Sequence, residues 1–280
     1  PASALNLSSG VERGIRERLN ERGLVNYVLD LNVRIPVPGF NGAPAVDLWA
    51  TIIRPVPDKK LPVILLATPY RREYFLPYVE NLLSHEYTVM VVDIRGTGSS
   101  AGQWVSFDLV EQNDIVHIID EWIPLQSWSD GRVGMIGPSY CGIIQMLAAG
   151  RVARDESGVP LHLKAIMPIE TLSDAYRDIV MQGGNLDLGF IPIWIFGIDI
   201  GALDTPLILD DAGLFPDEDV LEEAAAIEQS HREQIATTFG WIMDYEHAQD
   251  GLFYETKSPM IYWPEKPAAG WDFLQGDFVI

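Results

Sequence analysis

Cysteine is almost missing from this chain: Cys141 is the single one among 280 residues. A lone thiol forms no intramolecular disulfide, so covalent stapling has no part in the fold and the redox compartment stays open. Basic residues are scarce too, 19 Lys plus Arg against 40 Asp plus Glu, for a formal net charge of −21. A surface of that sign repels phosphate backbones and anionic lipid, which argues against nucleic acid as a partner and reads as a solvated exterior. Long apolar runs are also lacking. A membrane-spanning helix needs about 20 apolar residues, and the longest candidate, Gly189 to Ile200, is interrupted by Pro192 and Asp199. No span is expected. The chain shows neither an internal repeat nor a low-complexity tract, and it begins at Pro1 without a charged-then-apolar leader. That beginning fits a processed secretory precursor and a shortened chain equally.

What is present is an ordinary globular composition, 48% hydrophobic and 21% charged, in a length suited to one large domain or a domain with an inserted subdomain. Tyr27 to Val37 alternates apolar and polar residues, and a Pro/Gly/Asn turn leads to Val46 to Arg54, which predicts a hairpin. Leu61 to Thr68, Thr88 to Ile94, Val133 to Ile136 and His162 to Ile169 are continuous apolar runs, the pattern of parallel strands buried on both faces. Helical spacing separates them at Tyr74 to Glu86, at Leu109 to Ile123 and at Tyr140 to Ala149. Asp108 stands as N-cap of the second helix, with Glu111 as its capping-box partner. Strands alternating with helices predict an α/β fold with a mostly parallel sheet over residues 1–170. From 171 to 255 the pattern breaks into turns, an aromatic stretch with Phe190, Trp194 and Phe196, and acidic helices near 217–228 and 231–243, which reads as an inserted helical cap. Residues 256–280 read as a return segment toward the core, with a short strand at Asp277 to Ile280.

Strand, tight turn and helix meet at Gly137-Pro138-Ser139-Tyr140-Cys141-Gly142. A serine hydroxyl is a weak nucleophile that must be presented in the open, beside a base, with donors ready for the oxyanion that forms. A sharp strand-to-helix turn with small flanking residues provides such a presentation, and the helix start aims free N–H groups at the reacting centre. The usual elbow pattern is G-x-S-x-G; here cysteine takes the fifth place and glycine follows it. The plainer alternative for Ser139 is an N-cap. The glycines from Gly96 to Gly102 suggest a dinucleotide loop, but the third falls one place late and no acidic residue follows at the required distance.

The runs ATPYRR (Ala67 to Arg72), VVDIRGTGSSAGQW (Val91 to Trp104) and WSDGRVGMIGPSYCG (Trp128 to Gly142) resemble the X-prolyl dipeptidyl-peptidase and cocaine-esterase family of α/β-hydrolase serine hydrolases, over about Tyr27 to Ile169. In that family the elbow reads G-x-S-Y-x-G, which this chain satisfies. The resemblance implies Ser139 as nucleophile, the backbone N–H of Tyr140 as one oxyanion donor and the phenol of Tyr70 as the second. It implies an ester, an amide or a short X-Pro peptide as substrate, cleaved through an acyl-enzyme, with no cofactor and no metal. Asp93 and Arg95 read as structural, satisfying each other or nearby loop backbone.

A histidine base and its carboxylate should follow the serine in this fold. Downstream of Ser139 stand only His162, His231 and His247. The first reads as a strand-edge residue and the second as a solvated side chain on a polar helix. His247 lies where the family places residues near the substrate pocket. In the family, the acid and base follow later strands and precede a β-sandwich. The chain therefore resembles the N-terminal half of a member. A missing C-terminal portion, a second chain, or an inactive relative acting as a binding or assembly module would each account for that.

Overall fold

The computed structural model describes residues 10–55, 59–203, 218–243 and 247–262. Six strands form one sheet in the order β1-β2-β4-β3-β5-β6. The hairpin pairs β1 (Tyr27–Val37) with β2 (Val46–Pro55), Val37 lying opposite Val46. Then β2 runs antiparallel to β4 (Thr88–Asp93). From there β3 (Leu61–Thr68), β5 (Ser129–Pro138) and β6 (Leu163–Ile169) continue parallel.

The continuous apolar runs have a physical reason: both faces of the sheet are covered, so neighbouring residues of one strand enter different cores. Met90 and Val92 of β4 pack with α3 (Leu109–His117) and α4 (Tyr140–Ala149) on one face. Val89 and Val91 pack with Ile15 and Leu19 of α1 (Gly10–Glu21), and with Leu76 and Val79 of α2 (Arg72–Val79), on the other. Each buried aliphatic side chain contributes roughly 1.5–3 kcal/mol.

Several elements differ from their sequence reading. The helix expected from Tyr74 is an α-helix from Arg72 whose last part, Glu80–His85, tightens to 3₁₀ after Pro77. The next helix passes through a π turn at Ile118–Trp122 and stops in a 3₁₀ turn that contains Pro124. Asp108 does accept the Glu111 N–H at 2.8 Å, but the Glu111 side chain is used elsewhere.

Beyond β6 come a π turn at Tyr176–Val180, then α5 (Ile191–Leu203), α6 (Glu218–Met243) and α7 (Leu252–Glu255). The two acidic helices are one. Ser230, at the expected break, returns its hydroxyl to the Ile227 carbonyl at 2.6 Å and so lets the helix continue. This helix is docked rather than solvated: Ala224 packs on Trp49, Glu228 takes both terminal nitrogens of Arg71 at 3.0 Å, and His231 is 1% exposed. The solvated reading of His231 is thereby corrected. The strand read at Asp277 to Ile280 lies outside the described residues. Among the described residues, no helix is long and apolar enough to cross a membrane.

Candidate active site

Ser139 follows the C-terminal end of β5 and opens α4, with φ 56° and ψ −126°. A non-glycine residue held at positive φ is strained, and such strain persists only where the surroundings fix it. They do so here. The Ser139 N–H donates to the Ile169 carbonyl on β6 at 2.8 Å, while its own carbonyl accepts from Gly142 and Ile143. A Cβ on Gly137 would lie 2.5 Å from that of Cys141, and one on Gly142 would lie 2.7 Å from the Ile169 oxygen. The fifth-place cysteine is accommodated because the position facing β6 is 142. Its thiol is buried, and burial pushes it up to about 12, so it is no competing nucleophile.

The half-buried Ser139 hydroxyl lies 3.2 Å from the Tyr70 hydroxyl. Tyr70 stands two residues past β3, its N–H held by Thr68 Oγ1 at 2.9 Å. Its oxygen accepts from Trp194 Nε1 at 3.0 Å. Indole only donates, so the phenol proton is left free to point toward the serine. Burial raises the phenol's pKa and keeps it neutral, while the Ser139 hydroxyl, Trp194 and the Tyr140 backbone pull the other way. The Tyr70 hydroxyl, the Tyr140 backbone and the Ser139 hydroxyl thus stand together at this turn.

The Tyr140 side chain, 1% exposed, does something different. Its oxygen accepts from Trp104 Nε1 at 3.1 Å and from the Phe107 N–H at 3.0 Å, and it donates to Glu111 Oε2 at 2.5 Å. Burial holds the Glu111 carboxyl well above the usual range, and its Oε1 has no hydrogen-bond partner among the described residues. Trp194, Glu111 and Trp104 are supports that sequence reasoning missed. Glu111 looked like a helix cap, and nothing in its spacing pointed to residue 140.

Ser139, Tyr70, Tyr140 and Trp104 border a cavity of about 140 Å³. Phe190 and Trp194 line it, with Phe107, Ile143, Ile195 and Phe253. Phe196 does not; it is 57% exposed on the outer side of α5. Asp93 and Arg95 are structural and bond nearby backbone as expected, Asp93 accepting the Ser99 N–H at 3.2 Å and Arg95 donating to the Pro44 carbonyl at 2.9 Å, but their charged partners are not each other. Asp93 accepts the Arg72 N–H at 2.7 Å and pairs with its guanidinium, and Arg95 pairs with Asp114 at 2.6 and 2.8 Å.

The histidines separate clearly. His162 precedes β6 and bonds the Gly131 carbonyl at 2.8 Å, at the end of the parallel strands opposite to Ser139. His231 is buried on α6, where burial lowers it to about 4. His247 lines the cavity, its ring flat on Phe253 at 3.7 Å. Among the described residues, no group of three or more His, Cys, Asp or Glu is arranged to hold a metal ion.

A strained serine between a parallel strand and a helix, on a six-stranded mixed sheet flanked by helices, defines the α/β-hydrolase fold. A model of the X-Pro dipeptidyl-peptidase (S15) family matches residues 42–256, and the chain belongs to that family. Cocaine esterase of Rhodococcus sp. (strain MB1 Bresler) is 33% identical over 160 residues, 54% of this chain and 25% of the esterase. A crystal structure of a CocE/NonD family hydrolase from Staphylococcus aureus superposes with a TM-score of 0.53 at 25% identity, covering 73% of this chain and 39% of that one. An α-amino acid ester hydrolase shares the fold, with a TM-score of 0.57 at 19% identity over 85% of this chain and 40% of its own. The chain thus spans a quarter of the cocaine esterase it matches and about two-fifths of the two structural relatives.

Proposed function

We propose that this chain carries the nucleophile and oxyanion side of a serine hydrolase that cleaves an ester or amide through an acyl-enzyme on Ser139. Attack by Oγ on the scissile carbonyl would place negative charge on the carbonyl oxygen, between the Tyr70 hydroxyl and the Tyr140 N–H, with the start of α4 adding its positive end. The observation that carries this reading is the 3.2 Å approach of the Tyr70 and Ser139 hydroxyls at a strained strand-to-helix turn. The aromatic cavity beside them would take the acyl group, with the segment from 171 to 255 as its cap.

On this reading the base and its acid come from outside the described residues. His162 and His231 are positioned against the role, and His247 lies against a ring wall. A fluorophosphonate probe on the full-length protein tests the proposal. Covalent labelling of Ser139 is expected, abolished by Ser139→Ala and retained in His247→Ala. A folded wild type that does not label would instead support a non-catalytic binding or assembly module.

A further inference from the structure

One charged group lines the cavity without a part in the reaction as drawn. Lys257 follows α7 by two residues and is only 5% exposed. Its Nζ donates to the Ser106 carbonyl at 3.0 Å and stands 4.7 Å from the centroid of the Phe253 ring. An ammonium carries three N–H donors, so Ser106 occupies one. No carboxylate among the described residues forms an ion pair with it. The two acidic groups that act on it through space, Asp108 and Glu111, are committed elsewhere, Asp108 to the start of α3 and Glu111 to the Tyr140 hydroxyl. Among the described lining residues there is no Asp or Glu.

A buried cation facing a mostly apolar cavity is costly until an anion meets it. We infer that Lys257 is a specificity-determining residue that receives a carboxylate carried on the acyl part of the substrate, so that the site favours half-esters and half-amides of dicarboxylic acids over neutral acyl groups of equal length. The inference rests on the acyl site proposed above. Burial holds the Lys257 ammonium below the usual lysine range, and an incoming carboxylate would reverse that. The cavity, about 140 Å³, is near the size of one that admits benzene, which suits a chain of about five carbons. A substrate with a free amino terminus would bring a second cation to Lys257 and is disfavoured.

Binding decides the matter without turnover. Full-length protein carrying Ser139→Ala is titrated calorimetrically with monomethyl glutarate and with methyl pentanoate, which match in length and differ in the terminal carboxylate. The half-ester should bind at least tenfold more tightly, since a hydrogen bond to a charged group is involved. Adding Lys257→Met should bring the two affinities within about twofold. Lys257→Gln, which keeps a donor for Ser106 without the charge, should do the same and guards against a misfolded methionine variant. Equal affinities in Ser139→Ala, or a preference that survives in both folded variants, would overturn the assignment. Failure of fluorophosphonate labelling counts against hydrolysis alone, whereas equal affinities count against Lys257 alone.

Discussion

Replacing Tyr70 by phenylalanine removes one oxygen and little else. The ring contacts with Phe75 at 6.1 Å and Tyr140 at 6.4 Å remain, and two polar groups, Ser139 Oγ and Trp194 Nε1, lose a partner. Both are half-buried, so the cost in stability is about 1 kcal/mol for each lost bond, or a few degrees in Tm. The effect on reaction should be larger, because in the proposed role the phenol faces charge that exists only as the tetrahedral species forms. Removing one oxyanion donor of this kind lowers kcat by about 10²–10³, or ~2.7–4 kcal/mol. KM should change much less. The assay is steady-state hydrolysis of a chromogenic ester by the full-length protein, with the rate of fluorophosphonate labelling as a second readout. A Tyr70→Phe variant within about fivefold of wild type in both would refute the role given to the phenol.

Two further outcomes follow from the same geometry. Gly142→Ala should destabilise by about 1–3 kcal/mol through overpacking, since its Cβ meets the backbone of Ile169 rather than a movable side chain. Urea denaturation reads that loss, and Ser139 labelling should slow with it. Glu228, raised to about 7 by burial, and His231, lowered to about 4 by burial, pull stability in opposite directions. The Glu228 contribution is full below its ordinary value of 4.5 and is lost as pH rises through 7. The His231 contribution is full above 6.5 and is lost as pH falls through 4. Displacements of this size are worth about 3 kcal/mol each, so together they nearly cancel. His231→Leu should therefore lose stability as pH rises from 4.5 to 7, and Glu228→Gln should gain it from 4 to 6.5, in urea midpoints. Slopes of the same sign in the two variants would contradict this account.

The sheet was readable because burial on both faces leaves continuous apolar runs, and β3, β4 and β6 begin and end within about two residues of theirs. The strand-to-helix turn at Ser139 is legible because proline and glycine punctuate the chain there, whereas Tyr70 is singled out only by the resemblance of its run to the family. Glycine 142 shows why a fixed pattern is a poor guide: the place that tolerates no side chain is set by the neighbouring strand, not by counting from the serine. The supports were not readable. Glu111 satisfies every local rule for a capping residue, and its bond to Tyr140 spans 29 positions. Trp194 reaches Tyr70 across 124. His231 reads as solvated because its neighbours in sequence are charged, yet Arg71, from the opposite part of the chain, draws that face of α6 inward through Glu228.

The indole that steadies the Tyr70 oxygen rides on α5, which also forms one wall of the cavity. Any excursion of that helix wide enough to admit a bulky guest would withdraw the indole and free the phenol to swing. On the proposed reading, access and reactivity would in this way be geared to one another, and a gaping pocket would be an idle one until the wall returned.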